Sequence, residues 1–470
     1  MEALRKTVLA GVLGLLPALV GVASRAMAGG LVGNGTPASC TEAALDAALV
    51  GGGSVSFRCG LNPTTITITS YKMISTPTRK VPATIIDGGG RIILSGGDGT
   101  GIIVNQGGVL TLANLSISGG GANGNTSAIQ NYGRLTVSNS TLSNNHGAYG
   151  GAIFNSGQGQ LTVSKSILSD NSGLDGGAIF NTGRLTVTDS SLINNRAAKD
   201  PGAVDNISEG GAILSLAGSL TVTRSSFSGN SADRGGAVTF LSEKFTVTDS
   251  TFSSNHARTY GGALNVTTVT VSNSTFFDNR TDSGGVGGAI ACGSGSRLMV
   301  SNSTFVSNHS SSGGAVSTYS AFTLINSTFF DNNADPGGGD IFNFAGNPLI
   351  FKNTLIANST SAENCVGVDA AADRGHNLDS GSSCRFSETR GSLSNTDPKL
   401  DPAGLAENGG PTLTLAVEAD SPAIAAGKKG ACRASPVKGR DQRGFARPGT
   451  GSKNCTIGAY EFNSPGPPVR

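Results

Sequence analysis

The sequence predicts an all-β chain wound as a right-handed parallel β-helix, with a short N-terminal capping helix and a disulfide-containing C-terminal cap. Three observations predict it. The tetrapeptide Gly-Gly-Ala-aliphatic recurs at Gly150, Gly176, Gly210, Gly235, Gly261, Gly287 and Gly313, with a degenerate copy at Gly337, at spacings of 26, 34, 25, 26, 26, 26 and 24 residues. A second motif, an apolar residue followed three positions later by Asn, alternates with the first, as in Phe227–Asn230 and Leu142–Asn145. Strictly alternating apolar and polar stretches, such as Leu135-Thr136-Val137-Ser138, lie between the two and mark strands with one buried face.

A period near 25 residues is too short for a propeller blade and carries no helix-length apolar pattern. It fits one turn of a three-sided coil, with three short strands separated by Gly, Asn, Ser and Asp turns. Ten or so turns would give a rod of roughly 50 Å at the spacing of hydrogen-bonded strands. Stacking such turns buries the inward Leu, Ile, Val and Phe as continuous columns. The repeated asparagines then form a ladder at an inward corner: Asn145, Asn171, Asn195, Asn230, Asn255, Asn279, Asn308, Asn332 and Asn358. The Gly-Gly pairs supply positive φ and close backbone approach where the coil bends. These roles are architectural.

From the start of the chain, Arg5 and Lys6, the apolar stretch 7–22 and Ala26-Met27-Ala28 read as a secretory signal over residues 1–28. No second apolar span of about 20 residues follows, so no membrane span is expected in the mature chain. Residues 29–97 hold the N-terminal cap and first coils. There Thr41 is the expected N-cap of a short amphipathic helix over Glu42–Val50. Residues 98–360 are the repeats. Residues 361–463 lose the repeats, gain cysteine pairs and are rich in Pro, and 464–470 form a flexible tail. The seven cysteines suit an oxidising compartment and fall into local pairs: Cys40 with Cys59, Cys365 with Cys384, and Cys432 with Cys455. Cys292 is left over. Zinc binding is the weaker reading because no CxxC spacing occurs and His376 is the one nearby histidine.

The alternation of Gly-Gly-Ala-Ile with Phe-x-x-Asn, over roughly residues 127–358, resembles the repeats of polymorphic outer-membrane proteins, β-helical adhesins of intracellular bacterial pathogens. A closer resemblance is to bacterial right-handed β-helix proteins with a choice-of-anchor Q domain. It rests on Asp397-Pro398-Lys399-Leu400, Asn408-Gly409-Gly410-Pro411-Thr412, Ser421-Pro422-Ala423-Ile424, Asp441-Gln442-Arg443-Gly444 and the stretch Cys455–Glu461. The resemblance implies surface or extracellular residence and brings no assigned reaction.

Chemistry is sparse. A formal charge of +2 with no long Lys/Arg run leaves no basic field for nucleic acid. No nucleophile elbow, phosphate loop or HExxH motif occurs, and no Asp-Asp pair suggests a hydrolase on this fold. The acidic concentration worth naming surrounds the longest insertion, 196–209. Asp175 and Glu209 each precede a Gly-Gly pair, Asp233 lies two positions before the next, and Asp200 and Asp205 sit in the loop. On successive turns these acids would stand about 5 Å apart and could draw in Ca²⁺; no other cofactor is suggested. His146, His256 and His309 share one register but lie too many turns apart for one metal ion. Outward Thr-Val-Thr rows, from Thr136/Ser138 to Thr270/Ser272, form a hydroxyl grid suited to strand surfaces, to a glycan or to ice. The expected function is a secreted or cell-surface, adhesin-like protein that binds glycan or matrix without catalysis. The alternatives are a polysaccharide lyase or glycoside hydrolase, and a structural surface scaffold. An aromatic content of 5% argues mildly against sugar stacking.

Overall fold

The structure, a computed structural model, describes residues 29–466 except 77–81, 122–126, 200–206, 243, 345 and 360–362. The expected signal segment 1–28, Asp200, Asp205 and the last four residues lie outside the described residues.

The chain is an all-β parallel solenoid of about 13 turns, some 60 Å long at the ordinary strand spacing. It has more turns than the repeats suggest because the segment before them is already coiled. Gly29–Val32 pairs in parallel with Gly53–Phe57, which pairs with Thr84–Thr100, and so on to Leu349–Lys352. Turns of the repeat region are four-sided where three sides were expected. In the turn that begins at Arg134 the strands are Arg134–Ser138, Thr141–Ser143, His146–Tyr149 and Ile153–Asn155, here called sides one to four. Sides four and one run on as a single strand at Leu264–Ser272 and Ile290–Ser301. The extra corner comes from Asn144, whose left-handed backbone (φ 52°) breaks the stretch between Leu142 and Tyr149 in two. The Asp170, Asn194, Asp278 and Asp331 positions repeat that bend in other turns. Asn and Asp tolerate it because their short side chains hydrogen-bond locally.

Register is kept turn after turn, so like side chains stack. On side two Phe227, Phe252, Phe276, Phe305 and Phe329 form a buried column with ring centroids 4.5–4.9 Å apart and planes within 10°. Three residues on runs the predicted asparagine ladder, fully buried from Asn145 to Asn332. Asn230 illustrates the link. Its Oδ1 accepts from both the backbone N–H (2.9 Å) and Nδ2 (3.0 Å) of Asn195, while its Nδ2 donates to the Leu192 carbonyl (2.9 Å) and to Asn255 Oδ1 (3.0 Å).

Asn358 does not belong to this ladder. Ile356, rather than Leu355, lies over Phe329, so the last turn is offset by one residue from the motif. Asn358 therefore occupies the bend above Asp331, exposed and left-handed (φ 54°). The ladder ends instead on Asp340, whose Oδ1 accepts from Asn332 Nδ2 at 2.6 Å. Two more ladders run beside it. Asn105, Asn131, Asn155 and Asn181 link side chain to side chain at 2.6–2.7 Å and finish on Ser215. Buried serines from Ser140 to Ser327 accept the backbone N–H of the preceding turn.

Both ends are closed. The helix Glu42–Leu49, N-capped by the Thr41 hydroxyl on the Ala44 N–H, buries Leu45 and Ala48 over the first turn. Its outer side is fixed by Lys72, held between Glu42 (2.7 Å) and Asp46 (2.6 Å). At the other end, Val368, Ala372, Cys384 and Phe386 complete the main core. The three predicted cysteine pairs are bonded, and Cys292 is buried and free.

The segment beyond residue 398 does not extend the rod. It folds back along the flank and packs a separate small core around Leu355, Leu378, Val417 and Ile457. The buried Gln442 latches it. Its Oε1 accepts from Thr304 (2.6 Å), and its Nε2 donates to Thr275, Thr412 and the Leu413 carbonyl. Asp441 and Arg443 form a buried ion pair next to it. Corner residues Asn302, Asn326 and Asn353, which face solvent at equivalent positions such as Asn139, here contact Arg440 and Cys432.

Two predictions follow from the ladder. Asn230→Ala strands buried donors and acceptors on both neighbouring turns and should cost about 3 kcal/mol. Asn358→Ala meets only the left-handed backbone penalty and should cost about 1 kcal/mol; denaturant titration separates the two. Burial pushes the Asp340 carboxyl well above its ordinary range, Asn332 opposes this and Asp379 adds to it. With the folded value raised, this residue's contribution is complete below the unfolded value near 4 and is lost as pH rises through the folded value. Asp340→Asn should therefore match the parent in thermal unfolding at pH 4 and exceed it at neutral pH.

Candidate functional site

Stacked turns convert motif positions into columns on the surface, and the columns around side four carry most of the solvent-facing aromatics. The central outward column of this side runs Gln130, Phe154, Phe180, Leu214, Thr239, Asn265. The column just before the Gly-Gly corner runs Tyr149, Asp175, Glu209, Arg234, Tyr260. The column just after side four includes Tyr132, Leu216, Leu241, Tyr319 and Phe344, all exposed.

At the N-terminal end these columns form one aromatic platform. Phe154 stacks on Phe180 (centroids 5.8 Å apart, planes 18° apart), Tyr132 packs against Phe154 at 5.9 Å, and Tyr149 meets Phe180 edge-on at 5.1 Å. Tyr132 and Tyr149 keep 43% and 47% of their surface open. Polar groups border the rings. The Tyr132 hydroxyl donates to Gln130 Oε1 at 3.1 Å, and Gln130 Nε2 reaches the Tyr71 hydroxyl at 3.5 Å. A smaller stack, Tyr319 on Phe344 at 4.3 Å, lies toward the other end. Sequence composition missed the platform because its rings come from separate motifs. Tyr149 precedes a Gly-Gly pair, Phe154 and Phe180 follow Gly-Gly-Ala-Ile, and Tyr132 follows Asn131. The available signal was the outward position within Ile-Phe-Asn.

The predicted acids border this face. Asp175 and Glu209 are neighbours in one column: the Glu209 N–H donates to Asp175 Oδ1 at 3.1 Å, and Lys199 pairs with Asp175 Oδ2 at 3.2 Å. Asp233 does not continue the column, because Arg234 takes the next place, bridging to Glu209 and lying 5.3 Å from the Tyr260 ring centre. The reason is spacing. Glu209 directly precedes its glycine pair whereas Asp233 stands one residue further back. Asp233 turns instead into the side-three groove, where the Ser208 N–H and hydroxyl and Arg258 Nε all donate to it. Burial raises the Glu209 carboxyl, Arg234 opposes the rise, and Asp175 adds to it. Burial also pulls on Asp233, but the bonds from Ser208 and Arg258 outweigh it and leave that group below its ordinary value.

The side-three groove, about 370 Å³, is lined by Arg196, Lys199, Ser231, Asp233, His256 and Arg258. The three predicted histidines share its column, with His146 four turns from His256 and His256 two from His309. His256 pairs with Asp282 at 2.7 Å and His146 with the Ser172 hydroxyl at 2.7 Å. Among the described residues no group of three or more His, Cys, Asp or Glu is arranged to hold a metal ion. Cys292 points inward in the second asparagine column, and burial pushes its thiol up to about 11.

The family model described as right handed beta helix region matches residues 203–329. No curated protein and no solved structure matches the chain. The match covers the turns that hold the phenylalanine column and the middle of the asparagine ladder, so it speaks to architecture. The aromatic platform lies outside it. What that platform offers chemically is flat apolar rings with hydrogen-bonding groups at their edges, the pairing that suits the C–H face and hydroxyls of a sugar ring.

The described acids bear on how calcium would have to bind. Asp175, Glu209 and Asp233 already accept from Lys199, Arg234, Ser208 and Arg258, which a cation would have to displace. Millimolar Ca²⁺ is expected to leave the thermal unfolding curve unchanged, and a stabilising shift abolished by Asp175→Asn would establish a calcium site.

Proposed function

We propose that this chain is a secreted or cell-surface β-helix protein that binds polysaccharide or extracellular matrix without turning it over. The observation that carries the reading is the platform in which Tyr132 and Tyr149 stand exposed against the half-buried Phe154 and the buried Phe180. Large rings left exposed on a soluble surface mark interaction sites, and sugar rings are the ligands that combine an apolar face with a hydroxyl rim. A rigid, flat, repetitive surface also suits a repetitive polymer, since successive ligand units meet equivalent columns.

Residence outside the cytoplasm is supported by the three disulfides, which persist in oxidising compartments. Among the described residues no helix is long and apolar enough to cross a membrane. The absence of catalysis is inferred from the acids nearest the platform, each engaged by a cation or an N–H donor. The resemblance of the C-terminal motifs to an anchoring domain fits surface residence. In this chain Gln442 holds the segment against the solenoid, and the Asp441–Arg443 pair braces the segment from within.

A polysaccharide panel, scored in parallel for retention and for release of reducing ends or unsaturated products, tests the reading. Binding without product is expected, and Tyr132→Ala with Tyr149→Ala should weaken it by about 1 kcal/mol per ring. Product release would establish a polysaccharide-active enzyme instead and direct attention to Glu209 and Asp175. No retention of any polymer would leave a structural scaffold.

A further inference from the structure

We infer that the groove at the corner between sides four and one takes an acidic polysaccharide, laid along the solenoid axis with its carboxylates against Arg184 and Lys244. This inference rests on the polysaccharide-binding reading above and names the ligand class for a second part of that surface.

The groove measures about 810 Å³ and begins three residues beyond the platform residue Phe154. Its floor is formed by Gly159, Gly183 and Gly218. Added Cβ atoms there would come within 2.3, 2.3 and 1.8 Å of oxygen atoms, at Gly183 and Gly218 those of the preceding turn's backbone. The position just before side one therefore carries no side chain in three successive turns, and a trough results beside Gln158. Its wall is the first residue of each side-one strand, and there the charge is ordered. In successive turns the residues are Arg134, Gln160, Arg184, Ser219, Lys244. The following turns place Thr268 and Arg297 in this column. A cation thus stands at every second turn, about 9.6 Å apart, a distance comparable to two sugar residues of an extended chain.

These four cations are exposed, and among the described residues none of them makes an ion pair. Elsewhere along the same turns Arg224, Arg234 and Arg258 are each taken up by a carboxylate. The next outward positions on side one are the hydroxyls of Thr186 and Thr221, which line the groove as hydrogen-bonding partners. Among the described residues the acids of this side, Asp189 and Asp249, lie at its far corner, with Arg224 paired to the first. A planar carboxylate can take two parallel hydrogen bonds from an Arg guanidinium, so a uronate polymer matches both the spacing and the donor geometry.

The test compares alginate with its carboxyl-reduced counterpart as ligands, by titration calorimetry at low and high salt. The proteins are the parent chain, the Arg184→Gln/Lys244→Gln double variant and a Lys165→Gln control from the opposite edge of side one. The parent is expected to prefer alginate, with affinity falling as salt rises. The double variant should lose roughly tenfold in alginate affinity while keeping its thermal unfolding curve and its binding of the neutral polymer. The control should match the parent. Equal affinity of the parent for both polymers, or an unchanged double variant, overturns the acidic-ligand inference and leaves the platform reading standing. Failure of the parent to bind either polymer also overturns the acidic-ligand inference, and the polysaccharide panel then decides the platform reading.

Discussion

The structure depends on one interaction repeated along its axis: the hydrogen bond from a buried side-chain amide to the same residue in the next turn. Parallel backbone pairing alone would permit neighbouring turns to slip, because ladder bonds reform after any shift. A buried Asn that gives and receives from its counterparts does not permit it. A slip by one residue would leave Nδ2 and Oδ1 groups buried without partners, at a cost of about 1–3 kcal/mol for each. The ladder from Asn145 to Asn332 therefore fixes register as well as adding stability. The phenylalanine column beside it follows, since rings stack face to face only when turns coincide.

Fixed register has a consequence on the outside of the rod. Every outward residue is held at a set height and angle, so surface chemistry is written in columns. The aromatic platform, the Asp175–Glu209–Arg234 column and the alternating cations from Arg134 to Arg297 are all products of this ordering. Side chains far apart in sequence come to stand about 4.8 Å or 9.6 Å apart, and a polymeric ligand can read that spacing. The flank is different. There the C-terminal segment covers Thr275, Thr304 and Thr328, and Gln442 occupies the hydroxyl column that other turns leave open.

Much of the architecture was legible from residues alone. The Gly-Gly-Ala-aliphatic and Phe-x-x-Asn motifs encode an inward column, a bend and a ladder in every turn. The capping helix was legible from Thr41 and the apolar pattern after it, and the disulfides from the local cysteine pairs. Errors fell where local spacing departs from the repeat. Asn358 keeps the motif's look but sits one residue out of register. Asp233 was aligned by proximity to a glycine pair, whereas the column belongs to Arg234. The fourth strand of each turn went unseen because a single left-handed residue makes the corner, and Asn or Asp there looks like any other polar position.

The sequence by itself determined the class of fold, the inward columns and the closure of the N-terminal end, because each is set by residues that are close neighbours along the chain. Only the tertiary structure decided which outward residues share a face. Tyr132, Tyr149, Phe154 and Phe180 belong to different motif positions and meet because three successive turns and two corners bring them together. Arg184 and Lys244 share a wall because the long insertion is looped out of the count, leaving Ser219 as the single turn between them. Motif spacing records contacts along the chain, while a surface column is a sum over turns of unequal length, and that sum is fixed only when the buried ladders lock the turns together.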